Sequence, residues 1–195
     1  IGEEAAGRQY ADWLSYEDYE TCSGRGVYSA GASRTPSAEA VLYWDFLGGC
    51  YWIHDAQLMA AMARGLGDAA AQAKYAAMAD EARAYVRERF VDAKDGLLTG
   101  LLRPLQTPAV FALKFGLLAD PRAVEATKTG LRRNIAGRGG CLATGLLGTS
   151  VLMDTLSENG MTDVAYGLLL NRKCPSWLYS VDQGATTVWE RWNSY

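Results

Sequence analysis

The chain has 195 residues, of which 49% are hydrophobic and 21% are charged, as is ordinary for globular proteins. We expect one domain over 1–195, because a domain near this size buries about 70% of its unfolded surface. A net charge of −3 argues against nucleic acid or anionic membranes as partners, and no apolar run approaches the ~20 residues of a membrane span.

The N-terminal segment combines a helical pattern with a polar loop. Apolar residues recur at helical spacing over residues 1–15, and Asp12 near the end of this run is typical of a helix or loop cap. The start at Ile1 matches neither a signal peptide nor a translation start, which predicts the cut edge of a longer chain. Residues 15–36 predict a long loop, and loops of this length are often functional.

A long helix is predicted next, from Pro36 to the glycines at 65 and 67. Gly48 and Gly49 predict a kink or a close helix contact within it. Large apolar residues at helical spacing predict the core-facing side of its second half: Leu58, Met59, Met62 and Leu66. Aromatic residues crowd the first half and predict either core packing or a ligand platform: Tyr43, Trp44, Phe46, Tyr51 and Trp52.

Caps and helical periodicity predict five further helices. They cover Asp68 to about Phe90, Gln106–Leu118, Asp120 to about Ile135, a segment containing Val151 and Leu156, and Thr162 to about Leu170. Only two short segments are candidate strands, Leu97–Leu102 and Trp177–Val181. The chain is therefore predicted to be all-α, built from antiparallel helical hairpins.

The cysteines are scattered without a Cys-x-x-Cys pair: Cys22, Cys50, Cys141 and Cys174. The single histidine, His54, cannot complete a zinc site with cysteines so placed. We expect buried reduced thiols, no metal and no cofactor, in a reducing compartment such as the cytoplasm.

The C-terminal segment concentrates groups that sugar sites need. Glu190 lies between Trp189 and Trp192, after a Gly-Ala-Thr-Thr turn, with Trp177 further upstream. Flat indole faces stack on the apolar side of a pyranose ring, and a carboxylate can act as a general base or hold hydroxyls. The small Gly184 would let a ligand approach the backbone. The alternative is structural: the tryptophans anchor the core, and Glu190 caps a helix or pairs with a cation.

The run Gly-Ala-Thr-Thr-Val-Trp-Glu-Arg-Trp, preceded by Pro-Ser-Trp, resembles the motif near the end of the catalytic domain of bacterial α-L-rhamnosidases. The resemblance implies that Glu190 is the general base of an inverting hydrolysis of α-L-rhamnosides. Ala11-Asp12-Trp13 resembles a Gly-Asp-Trp motif whose aspartate contacts the sugar, with alanine in place of the glycine. The implied substrate-binding residues are Asp12, Trp13, Tyr51, Trp52, Trp177 and Trp189.

The resemblance also implies the fold, an (α/α)6 barrel of six helical hairpins. Twelve helices with their loops need about 300 residues or more, and this chain supplies about seven helices, so it resembles the second half of such a barrel. Inverting glycosidases place an acid and a base ~6.5–9.5 Å apart. In the family the acid lies in an acidic segment upstream of the match at Asp12. We expect the chain alone to lack the acid and to be inactive or nearly so.

Two other functions remain open from the sequence. The tryptophans could bind a rhamnose-containing glycan without hydrolysis, or the helices could belong to another helical-barrel glycosidase, such as a hexuronyl hydrolase or a glucosidase. The inner faces of a half barrel would be apolar and exposed. We therefore expect the other barrel half, or a second copy of the chain, as a partner.

Overall fold

The computed structural model describes residues 12, 15 and 38–192. Seven α-helices lie in this part of the chain: α1 Ala38–Gly65, α2 Ala69–Phe90, α3 Gln106–Lys114, α4 Pro121–Gly137, α5 Leu146–Glu158, α6 Thr162–Leu169 and α7 Trp177–Asp182. A single 3-10 turn, Gly100–Leu102, joins α2 to α3. None of these helices is both long and apolar enough to cross a lipid bilayer.

The prediction of an all-α chain is confirmed for the described residues, which contain only one isolated β-bridge, between Val91 and Leu98. Of the first candidate strand, Leu97–Leu102, only the bridge at Leu98 forms. The second candidate, Trp177–Val181, is wrong, because this segment is α7. The hydroxyl oxygen of Ser176 accepts a hydrogen bond from the Tyr179 N–H at 3.1 Å, and this cap begins a helix where alternation alone suggested a strand.

Helices α1 and α2 form an antiparallel hairpin. A side chain at Gly49 would place a Cβ 2.6 Å from Cγ2 of Val86 on α2, so the glycine lets the two backbones approach closely. The predicted close helix contact is therefore confirmed at this position. Three residues before Gly49 on α1, the ring of Phe46 packs edge to face against the ring of Phe90 on α2, with centroids 5.5 Å apart.

The predicted core face of the second half of α1 is wrong. Its large apolar side chains point to solvent, with exposed fractions from 40% to 85%: Leu58, Met59, Met62 and Leu66. The buried positions of this half are instead Ile53, Ala56 and Ala63. Helical spacing identifies which residues share a face, but it does not decide which face meets the neighbouring helix.

The central helix is α3, whose residues from Gln106 to Ala112 are all buried. It packs against α4 and α5. It ends at Lys114, earlier than predicted, and the carbonyl groups that follow accept hydrogen bonds from arginines of α2. Arg83 Nε donates to Phe115 O at 3.0 Å, and Arg87 Nε donates to Leu117 O at 2.9 Å. Helix α2 thus stabilises the C-terminal end of α3 as well as the hairpin.

The cysteines are only partly as predicted. Cys50 and Cys141 are buried, and Cys174 is exposed. Burial raises the pKa of both buried thiols, which keeps them protonated and poorly reactive. None of these three forms a disulfide, and Cys22 lies outside the described residues.

Candidate functional site

The C-terminal segment places two of its tryptophans in direct contact. The rings of Trp177 and Trp192 pack edge to face, with centroids 5.3 Å apart and planes at 90°. Both side chains are half-buried and lie against the hydrophobic core. Trp192 therefore anchors the end of the described chain onto α7, and this contact fixes the course of the residues between them.

Trp189 and Glu190 lie within that anchored stretch, outside any helix. Trp189 is half-buried, and Glu190 is exposed. An indole that keeps part of its surface open can stack on a sugar ring, and a carboxylate that reaches solvent can bind a water or a hydroxyl group. The structural alternative applies to Trp192, which serves as an anchor, whereas Trp189 and Glu190 keep surface open to solvent.

Gly184 follows the end of α7 and reverses the chain. Its φ is +87°, in the left-handed region, and a Cβ built on it would meet no atom within 4 Å. The N–H of Ala185 donates to Ser180 O at 3.0 Å, and the N–H of Gly184 donates to Val181 O at 2.9 Å. This pair of bonds is a Schellman motif, which requires a residue with positive φ. The Gly-Ala pair thus turns the chain from α7 toward Glu190.

Tyr51 forms a second group, between α1, α3 and α5. Its half-buried ring packs edge to face against Phe111 and His54, each with centroids 5.9 Å apart. Burial raises the pKa of Tyr51, the hydroxyl of Ser150 on α5 opposes this by hydrogen bonding, and the nearby charge of Asp12 adds to the rise. The neighbouring Trp52 is 41% exposed.

Asp12 is fully buried and binds protein groups through both carboxylate oxygens. Its Oδ2 accepts hydrogen bonds from Thr107 Oγ1 at 2.5 Å and from the Gly145 N–H at 2.7 Å. Its Oδ1 accepts from the Gly148 N–H at 2.8 Å. The resemblance implied a sugar contact for Asp12, whereas the structure gives it contacts with α3 and with the N-terminal end of α5. The residue type of Asp12 predicted a helix or loop cap, and Asp12 does cap a helix. That helix is α5, which begins more than a hundred residues later in the sequence.

The segment before α5 is held by a buried glutamine. Gln106 Oε1 accepts from the Ala143 N–H at 2.7 Å, and its Nε2 donates to Asn134 Oδ1 at 2.8 Å. Ser15 Oγ donates to Ala143 O at 2.9 Å from the other side. Gln106 and Thr107, the first two residues of α3, thus position the start of α5. In the sequence, the only indication of this positioning role was that two polar residues, Gln106 and Thr107, begin an otherwise apolar helix.

A groove of about 380 Å³ runs between α1 and α2. Its walls combine alanines with polar side chains: Gln57, Ala60, Ala61, Arg64, Gln72, Ala76, Ala79, Asp80 and Arg83. None of the predicted site residues lines it, and we assign it no part in sugar binding.

Comparison with known proteins decides the family. The model of the bacterial alpha-L-rhamnosidase six-hairpin glycosidase domain matches residues 2–195. This chain belongs to that family. The resemblance found in the C-terminal motif is confirmed, and so is the (α/α)6, six-hairpin fold class that it implied. The match runs over nearly the whole sequence, including the segment around Asp12.

Two curated α-L-rhamnosidases illustrate the relationship. The enzyme of Formosa agariphila is 40% identical over 152 residues, which are 77% of this chain and 16% of that protein. The enzyme of Streptomyces avermitilis is 35% identical over 185 residues, which are 95% of this chain and 15% of that protein. The chain therefore spans a small part of the length of the α-L-rhamnosidases that it matches.

Solved rhamnosidase structures share the fold. The Streptomyces avermitilis α-L-rhamnosidase in complex with L-rhamnose superposes with a TM-score of 0.73 at 33% identity, over 96% of this chain and 15% of that chain. The native Aspergillus terreus enzyme superposes with a TM-score of 0.75 at 24% identity, over 97% of this chain and 20% of that chain. The second comparison supports the fold alone.

Apart from the buried Asp12, the predicted site residues that the structure describes fall into two groups. Trp177, Trp189 and Glu190 belong to the C-terminal segment, while Tyr51 and Trp52 lie on α1. The ring contacts of Trp177 and of Tyr51 each lie within their own group. Trp13 lies outside the described residues. The sequence did not single out Ser150, since an exposed serine in a helix carries no pattern until its tertiary neighbour is known.

Proposed function

We propose that this chain is part of an α-L-rhamnosidase, which removes terminal α-L-rhamnose from glycosides or polysaccharides. The observation that carries the proposal is the match of residues 2–195 to the family model, together with an exposed Glu190 beside Trp189. The 33% identical Streptomyces avermitilis structure was obtained with L-rhamnose bound, which supports rhamnose as the sugar recognised here.

Glu190 is the proposed general base. In an inverting hydrolysis the base takes a proton from a water molecule, whose oxygen attacks the anomeric carbon from the face opposite the leaving group. A general acid protonates the departing glycosidic oxygen. The family resemblance assigns this acid to the segment upstream of Asp12. Because Glu190 is exposed, its carboxylate can hold such a water without the loss of hydration that a buried charge suffers.

The sugar is proposed to lie against the partly open indoles. Trp189 and Trp177 offer flat apolar faces to the ring, and the Tyr51 hydroxyl and the Trp52 indole offer hydrogen bonds to its hydroxyl groups. Trp13 is proposed as a further contact from the resemblance alone. Asp12 is omitted from this set, because both of its oxygens bind protein groups.

The test separates binding from charge recognition at Glu190. Calorimetry measures the affinity of the chain for L-rhamnose and for an iminosugar of L-rhamnose configuration, whose protonated nitrogen resembles the charge of the transition state. We expect Glu190→Gln to weaken iminosugar binding about tenfold or more, since a hydrogen bond to a charged group contributes ~1.5–3 kcal/mol. Rhamnose binding should change much less. Glu88→Gln, at an exposed position of α2, is the matched control.

Release of nitrophenol from an aryl α-L-rhamnoside completes the test. Binding without turnover agrees with a chain that carries the base and not the acid, and the loss of iminosugar affinity in Glu190→Gln then distinguishes it from simple glycan binding. Turnover that disappears in Glu190→Gln would place the acid within this chain. Absence of binding to both ligands, or equal loss of iminosugar affinity in the Glu88→Gln control, would refute the proposed site.

A further inference from the structure

The segment that carries Glu190 forms a loop whose two ends are both attached to α7. At its first end, the Ala185 N–H donates to Ser180 O at 3.0 Å, in the C-terminal half of the helix. At its second end, the ring of Trp192 packs against the ring of Trp177, the first residue of α7, with centroids 5.3 Å apart. The loop therefore leaves one end of the helix and returns to the other.

The backbone of Trp192 is held at the same place as its ring. The Sγ of Cys174 lies 3.9 Å from Trp192 O, within reach of a weak S–H···O hydrogen bond. The indoles of Trp192 and Trp177 both pack against the hydrophobic core. Between Cys174 and Trp177 lies Ser176, which is 1% exposed and caps α7. Because this part of the chain is itself buried and capped, it gives Trp192 a well-defined support.

The residues between the two attachment points depend on them for their position. Residues 186–191 lie outside any helix, and all of them except the half-buried Trp189 are exposed. Exposed segments of this kind fluctuate unless contacts at their ends order them. Glu190 is two residues from Trp192, so their Cα atoms lie within ~7 Å of each other. The place of the Glu190 carboxylate therefore follows from the place of the Trp192 ring.

We propose that Trp192 is a positioning residue for the general base: its contact with Trp177 holds Glu190 where the attacking water is activated. The role of Glu190 rests on the proposed function, while the arrangement of the loop does not. Trp192 acts through Glu190 and is assigned no sugar contact. The Pro-Ser-Trp and Trp-Glu-Arg-Trp parts of the motif are thus physically linked, because the tryptophan of the first supports the end of the second.

Fluorine nuclear magnetic resonance tests the arrangement without any ligand. Tryptophan is replaced by an analogue with a fluorinated ring, and the Trp189 signal is assigned from its absence in Trp189→Phe. We expect Trp192→Ala to move this signal at least about half of the way to its position in the urea-unfolded chain. Trp192→Phe keeps an aromatic ring against Trp177 and should retain the native signal. Tyr85→Ala, which removes a partly exposed ring from α2, is the control and should leave the signal unchanged.

Calorimetry with the rhamnose-configured iminosugar and with L-rhamnose links the loop to the base. The ratio of the two affinities reports how well the Glu190 charge is placed, because a general loss of folded chain lowers both affinities equally. We expect Trp192→Ala to lower this ratio at least about threefold, since a small displacement of a catalytic group is costly. In a chain that already carries Glu190→Gln, the same substitution should leave the ratio unchanged. Trp192→Phe should keep most of the ratio, and Tyr85→Ala all of it.

Several results would overturn the proposal. They are an unmoved Trp189 signal in Trp192→Ala, an unchanged affinity ratio in that variant, or an equal loss with and without Glu190→Gln. If Trp192→Ala fails to fold, Trp192→Leu keeps an apolar side chain on the core without the ring, and it decides by the same two measurements. If the wild type binds neither ligand, the proposed function fails, and the fluorine signal still decides whether Trp192 orders the loop.

Discussion

Replacing Gly148 with alanine tests the contact between α3, α5 and Asp12. A Cβ built on Gly148 would lie 2.3 Å from Thr107 Oγ1, 2.9 Å from Thr144 Cβ and 3.0 Å from Asp12 Oδ2. Real Cβ atoms do not approach other atoms so closely, so Thr107 must rotate away or α5 must move. If Thr107 rotates, its hydrogen bond to Asp12 is lost, and if α5 moves, the hydrogen bonds from the N–H groups of Gly145 and Gly148 to Asp12 are lost.

Two contributions set the size of the effect. A hydrogen bond to a charged group contributes ~1.5–3 kcal/mol, and overpacking a filled core costs ~1–3 kcal/mol. We therefore expect Gly148→Ala to lower the free energy of unfolding by about 2–5 kcal/mol, allowing for partial relaxation of the site. This is a large share of the ~5–15 kcal/mol that stabilises a typical domain.

Urea denaturation followed by circular dichroism measures the change, with Gly130→Ala as the matched control. Gly130 is an exposed position within α4, and a Cβ there meets no atom within 4 Å. Alanine should stabilise that helix by ~0.5–1 kcal/mol. The double variant Gly148→Ala with Thr107→Ala removes the clashing hydroxyl, so it should lose less than the sum of the single losses. A stable Gly148→Ala chain, or strictly additive losses, would refute the reasoning.

Two further predictions concern other parts of the fold. Arg87→Met should lower the free energy of unfolding by ~1–3 kcal/mol, because the Leu117 carbonyl group loses its donor. Arg122→Met, at an exposed site of α4, should have little effect in the same urea titration. In a thiol-labelling experiment read by mass spectrometry, the exposed Cys174 should react before Cys50, which should react only on unfolding, because burial raises the pKa of Cys50. Equal labelling rates in the folded chain would contradict the burial of Cys50.

Local chemistry in the sequence was enough to predict most helices and the family. Asp68 and Asp120 cap α2 and α4 as predicted, each accepting a hydrogen bond from a backbone N–H two or three residues ahead. Such bonds form within a few residues, so residue type and spacing reveal them. The family was predictable for a related reason, since its motif around Glu190 is contiguous.

Orientation and long-range contacts could not be predicted in this way. The exposure of Leu58 and Met62 depends on which side of α1 faces α2, and the spacing of apolar residues is the same for either choice. The strand expected at Trp177 failed because one capping bond from Ser176 outweighed a short alternating pattern.

Asp12 shows most clearly the difference between what a local sequence pattern predicts and what long-range contacts decide. Its residue type predicted a cap, and its motif predicted a sugar contact, yet its partners lie 95 to 136 residues away. No local pattern can specify such partners, because a buried carboxylate is stable only where donors converge on it from several elements. The sequence by itself determined most of the helices, the family and the candidate residues for sugar binding. The tertiary structure alone decided which of them are buried as supports and which remain open to a ligand, since burial depends on the packing of the whole chain.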